Sequence, residues 1–192
     1  MPDASPTDLL MLFQRAQAQF TDRVDALEAG QWEVEVLPGW TAADLVAHLT
    51  ADQLAVPELL AGGRQDPRGR TSTDELLGED PLTAWETAAD DALTAWAADD
   101  ALAGTVELAD GPAPAAHHLR AMTAALTVHA WDLAVAVDGD TELDAELVDD
   151  ALEFAEEHLG PDGVPGQVDP AVPVPPGADP VTQLLARFGR QA

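Results

Sequence analysis

The segment Ala121–Val137, AMTAALTVHAWDLAVAV, decides the fold. Its side chains are apolar or small, and only Thr123, Thr127, His129 and Asp132 interrupt it. A helix that is apolar all round belongs in the centre of a domain rather than on its surface. An imidazole and a carboxylate placed there are costly unless partners satisfy them. The partners of His129 and Asp132 therefore separate two readings, a metal site and a core hydrogen bond.

Helical spacing continues on both sides of this segment. From Thr7 the residues Leu9, Leu10, Phe13, Ala16, Phe20, Val24 and Leu27 form one apolar stripe, with Gly30 as a stop signal. Pro38-Gly39 marks a turn, and Trp32, Val34 and Val36 alternate with acids as a short extended piece would. A second helix starts at Thr41, where Thr41 and Asp44 form a capping-box pattern, and Pro57 is expected to kink it. Residues 62–80 read as a polar loop carrying Arg64, Arg68 and Arg70, either a solvated loop or an anion-binding one. A third helix is predicted over 81–98, with Trp85 and Trp96 on its inner stripe. Residues 104–116 break the pattern, and 105–108 suit a short extended segment. The central helix spans about 115–137, and a fifth runs over 143–158. A Pro/Gly-rich tail over 160–180 leads to an amphipathic turn at 181–188.

The fold class expected from this order is all-α, an antiparallel four-helix bundle over residues 1–140. Residues 141–192 are expected to add a C-terminal helix and a Pro/Gly-rich extension packed on the bundle.

Composition narrows function. Thirty-six acidic residues face 8 basic ones, all arginine, for a net charge of -28. That field repels phosphate backbones and anionic lipid, so neither nucleic acid nor a membrane is an expected partner. With no cysteine, disulfides, thiolate metal sites and a cysteine nucleophile are excluded. The start, MPDASPTDLL, shows neither a basic n-region nor an apolar h-region, so a cytoplasmic protein is expected.

The candidate metal ligands are His48, His129 and Asp132. Neutral imidazoles from facing helices of a bundle are a common way to hold a divalent ion. His48 has Asp44 and Asp52 at i-4 and i+4 on the same helical face. Asp132, three residues after His129, can complete the set or merely orient the imidazole. One turn before His129 stands Ala125, which cannot ligate. His118 is about 16 Å from His129 along the helix axis, too far to share one ion. His158 suits a dipole partner at a helix end. The acids Asp138, Asp140, Glu142 and Asp144 superficially resemble a calcium loop, but Leu143 stands where that loop needs glycine. A helix start explains them better.

Three groups of residues carry a resemblance. They are Pro38-Gly39-Trp40-Thr41 with Asp44-Leu45-Val46-Ala47-His48-Leu49, then Val128-His129-Ala130-Trp131-Asp132-Leu133-Ala134, then Ala171–Pro175 with Leu184–Arg190. In order and spacing the chain resembles actinobacterial metal-binding proteins of the DinB-like superfamily, relatives of the mycothiol-dependent maleylpyruvate isomerase metal-binding domain. The resemblance implies a four-helix bundle, a homodimer, and a divalent metal, zinc first and nickel as the alternative, with His48 and His129 as ligands. It also implies a small-molecule thiol such as mycothiol as partner, in isomerisation or thiol transfer. Relatives often carry an acid or histidine where this chain has Ala125. The alternative expectation is a non-catalytic member with a degenerate site, acting as a small-ligand-binding or stress-response module.

Overall fold

A computed structural model describes residues 5–64, 71–165 and 167–191. Helix α1 (Pro6–Asp25) starts with a reciprocal capping box between Ser5 and Asp8. It buries Leu9, Phe13, Ala16, Phe20 and Val24, the stripe predicted for it. It ends before Gly30, because Leu27 N–H turns to Val24 O and tightens the last turn.

Two small hairpins correct the all-α expectation. Strand β1 (Glu35–Leu37) pairs antiparallel with β2 (Trp40–Thr41) across Pro38-Gly39, and Gly39 takes the φ of +79° that the turn requires. Strand β3 (Thr105–Leu108) pairs with β4 (Gly111–Pro114), with Val106 opposite Ala113 and buried. These stretches are short and carry prolines, so they cannot propagate a helix, and pairing across a hairpin satisfies their backbone groups instead. The extended segment predicted at 105–108 is β3, whereas the one predicted around Val34 is displaced to Glu35.

Helix α2 (Ala42–Leu60) begins where expected, with Thr41 as N-cap, and Pro57 lies inside its last turn. Helix α3 (Thr73–Leu77) falls in the stretch predicted as loop; it is little more than a turn, held by its own capping box between Ser72 and Glu75. Helix α4 (Pro81–Trp96) is capped by Asp80, and helix α5 (Ala115–Ala136) is the central segment. Helix α6 (Ala145–His158) is capped by Asp144 and helix α7 (Pro180–Arg187) by Asp179. Asp140 and Asp144 cap backbone N–H groups or pair with Arg23 and Arg15, which accounts for the acidic run at the α5–α6 turn.

The chain is thus mostly helical with two two-stranded sheets among the described residues. Helix α2 packs on α4, α1 on α5 and α4, α6 on α5, and α7 on α6. Helix α5 is buried on nearly every side: Leu119, Leu126, Val128, Ala130 and Leu133 are all at most 1% exposed. Each fully buried leucine contributes roughly 1.5–3 kcal/mol. Thr123 and Thr127 meet their burial by donating hydroxyls to carbonyls one turn back, both at 2.9 Å. Trp85 packs edge-on against Phe20 and donates its indole N–H to Thr21 Oγ1 at 2.7 Å. Among the described residues no helix is long and apolar enough to cross a membrane.

Candidate functional site

His129 and Asp132 share one face of α5, and the carboxylate lies within reach of the ring. His129 Nδ1 sits 2.9 Å from Asp132 Oδ2. Asp132 is itself 3% exposed at the side chain and is gripped by Arg190, which donates from Nε to Oδ1 at 3.1 Å and from Nη2 to Oδ2 at 2.8 Å. Burial works to raise the Asp132 carboxyl, but the hydrogen bonds and charges of His129 and Arg190 outweigh it and hold the group below the usual carboxylate range. An ionised carboxylate only accepts, so in the neutral ring the proton lies on Nδ1 and Nε2 keeps its lone pair. No hydrogen bond reaches Nε2 among the described residues.

The second histidine comes from α2. Its first turn is fastened at Thr41, whose hydroxyl accepts from Asp44 N–H at 3.2 Å while Asp44 Oδ2 accepts from Thr41 N–H at 3.1 Å. Asp44 Oδ1 also accepts from the Thr73 hydroxyl at 2.8 Å, tying α3 to α2. One turn on, His48 projects into a cleft of about 380 Å3 walled by Trp40, Asp44 and Thr73. The Trp40 ring meets His48 edge-on at 5.1 Å between centroids. His48 Nε2 lies 3.6 Å from Asp52 Oδ2.

Asp52 links the two histidines electrostatically. Its side chain keeps 36% of its surface. The carboxyl group is nevertheless packed closely enough that burial pushes it above the usual range, against the opposing pull of His48 and His129. Two imidazoles and a carboxylate are donor types that suit zinc or nickel. As they stand, however, no group of three His, Cys, Asp or Glu side chains among the described residues is gathered closely enough to hold an ion. Ala125 is half-buried on the face of α5 that carries His129, and offers no donor.

The remaining histidines lie elsewhere. His118 packs near Trp96, and His117 faces His158 with ring centroids 4.5 Å apart. These two line a larger groove of about 970 Å3 between α1, α5 and α6, which contains neither His48 nor His129. His158 Nδ1 meets Phe154 O at 3.0 Å in the last turn of α6, the helix-end role expected of it. Arg64 pairs loosely with Glu107 and does not line the cleft; Arg68 and Arg70 lie outside the described residues. Arg190 is the participant that sequence reasoning missed. It is 58 residues from Asp132, and its only signal was a place in the Leu184–Arg190 motif.

The described residues form a mostly helical scaffold that fits the DinB-like superfamily. Residues 13–134 match the family described as the mycothiol maleylpyruvate isomerase N-terminal domain, and the chain belongs to that family. An uncharacterized protein of Mycobacterium tuberculosis is 30% identical over 186 residues, covering 95% of this chain and 98% of the relative. The same figures hold in strains CDC 1551 / Oshkosh and H37Rv. Among solved structures, the mycothiol-dependent maleylpyruvate isomerase superposes with a TM-score of 0.64 at 21% identity, over 80% of this chain and 68% of that one. A histidine-to-alanine variant of that enzyme gives 0.63 at 18% identity over the same shares. At such identity the superpositions speak for a common fold.

Proposed function

We propose that the chain is a DinB-like antiparallel four-helix bundle that binds one divalent metal and a small thiol. In this reading His48 and His129 hold the ion through Nε2, and Asp52 is the third donor. Asp132, expected from sequence as a ligand, serves as the carboxylate behind His129. The observation that carries the reading is the His129 Nδ1···Asp132 contact at 2.9 Å, which in the neutral ring leaves Nε2 with its lone pair. Zinc is the first choice and nickel the second. Such an ion supplies Lewis acidity that lowers the pKa of a coordinated thiol or water. The protein's own residues orient the imidazoles, and Trp40 shields the cleft. Mycothiol is the thiol that the family relationship suggests, in transfer or isomerisation in the cytoplasm. A homodimer belongs to the same reading and is checked by light scattering.

Elemental analysis of protein purified without a histidine tag or chelator tests the site. Near-stoichiometric metal that is lost in both His48→Ala and His129→Ala is the expected result. Retention in both variants, or less than about a tenth of an equivalent after incubation with zinc, nickel and manganese, would overturn it. Mycothiol conjugation to an electrophile, with and without metal, then tests activity.

One observation favours a second reading: among the described residues no three donors are gathered, and Ala125 stands beside His129. In that case the chain is a non-catalytic member whose cleft binds a small ligand, as a stress-response module would, and metal analysis returns nothing.

A further inference from the structure

We propose that Arg190 is a positioning residue for His129, acting through Asp132, and that the turn Phe188-Gly189-Arg190 is the device that delivers it. This goes beyond the metal reading and holds whether or not an ion binds.

The delivery is built from three consecutive residues. Phe188 is 8% exposed and packs into the core, anchoring the end of α7. Gly189 then turns the chain with a φ of +80°. A Cβ at that position would lie 2.5 Å from Asp169 Cβ and 3.1 Å from Pro170 O, so only glycine fits both the conformation and the space. The turn is closed by Gly189 N–H to Ala186 O and Arg190 N–H to Leu185 O, at 3.1 and 2.9 Å. Arg190 thereby points back into the molecule. It donates from Nη1 to Phe188 O and from Nε and Nη2 to Asp132. Its side chain is only 12% exposed.

A guanidinium that takes both oxygens of a carboxylate fixes the plane of that carboxylate, which a point charge does not. The plane of Asp132 in turn fixes the ring of His129, because the single contact between them is from Asp132 Oδ2 to Nδ1. Without Arg190, the Asp132 side chain is free to turn toward water, and the neutral ring of His129 is free to rotate and to carry its proton on either nitrogen. The turn Phe188-Gly189-Arg190 thus sets which nitrogen of a residue on α5 carries the proton.

The test uses the full chain freed of metal. Nitrogen-15 shifts of His129 are read by long-range proton–nitrogen correlation at a pH where the ring is neutral. The wild type is expected to show one state, with Nδ1 protonated and Nε2 bare. Arg190→Gln should lose that single state and show a mixture of both, and Arg190→Lys should restore it in part. Should Arg190→Gln fail to fold, Gly189→Ala keeps the guanidinium but misaims it, and the same mixture is expected. A wild-type pattern in folded Arg190→Gln, or in Gly189→Ala when the former does not fold, overturns the proposal. Since no metal is present, absence of metal binding in the earlier experiment leaves this outcome untouched.

Discussion

Arg190 and Asp132, 58 residues apart in sequence, form a two-point ion pair, with Nε–H to Oδ1 at 3.1 Å and Nη2–H to Oδ2 at 2.8 Å. Both side chains are nearly enclosed, at 12% and 3% exposure. Removing one partner of such a pair strands the other charge, which costs about 3–5 kcal/mol. Asp132→Ala should lose stability on that scale in urea unfolding. A loss under about 1 kcal/mol would mean that Arg190 finds water instead.

Ala125 occupies the turn before His129 on the same face of α5, half-buried as His129 is. If His48 and His129 hold an ion, Ala125→Glu places a carboxylate beside it. Calorimetric titration with zinc should then show affinity rising by at least about 10-fold, the lower end of what even outer-shell partners contribute. An unchanged affinity would put the third donor elsewhere, with Asp52 the residue to replace next.

Thr41 caps the helix that carries His48. Thr41→Ala removes the hydroxyl that accepts from Asp44 N–H, and should cost about 1 kcal/mol in thermal or urea unfolding. Backbone hydrogen bonding at Thr41, then the Thr73 and Thr41 hydroxyls, hold the Asp44 carboxyl below its ordinary range. A depressed carboxyl stabilises the fold above its unfolded pKa, and that contribution is lost as pH falls through the folded value. Carbon-13 titration of Asp44 should accordingly move upward in the variant.

His118 gives a pH dependence of the same sign in a window at higher pH. Burial, with a smaller contribution from the charge of His117, lowers it from 6.5 to about 4. Between those values the unfolded chain binds a proton that the folded chain does not, so stability rises with pH across this window. The total is on the order of 3 kcal/mol at 1.36 kcal/mol per pKa unit. His117, lowered by burial, His158 and Arg120, acts in the same direction. Urea unfolding of His118→Gln at pH 7 and pH 4.5 should show a flatter dependence than the wild type. An equal slope would assign the effect to His117 instead.

What could be read from the sequence was what neighbours along the chain decide among themselves. Apolar wrapping placed α5 at the centre, and the Thr41–Asp44 pair marked the start of α2 because a capping box closes within one turn. A break in the helical pattern marked the stretch that holds β3. The His129–Asp132 contact was legible as a spacing of three on a helix. Helix α3 escaped because a segment barely longer than a turn has no period to detect, and β4 because its prolines read as a break rather than a pairing edge. Only the tertiary structure brought Arg190 onto Asp132 and set Asp52 under the influence of both His48 and His129. Those relationships join side chains from distant segments, where no periodicity or cap links the partners. They exist because packing of α7 on α6, and of α6 on α5, brings the chain's end to the central helix.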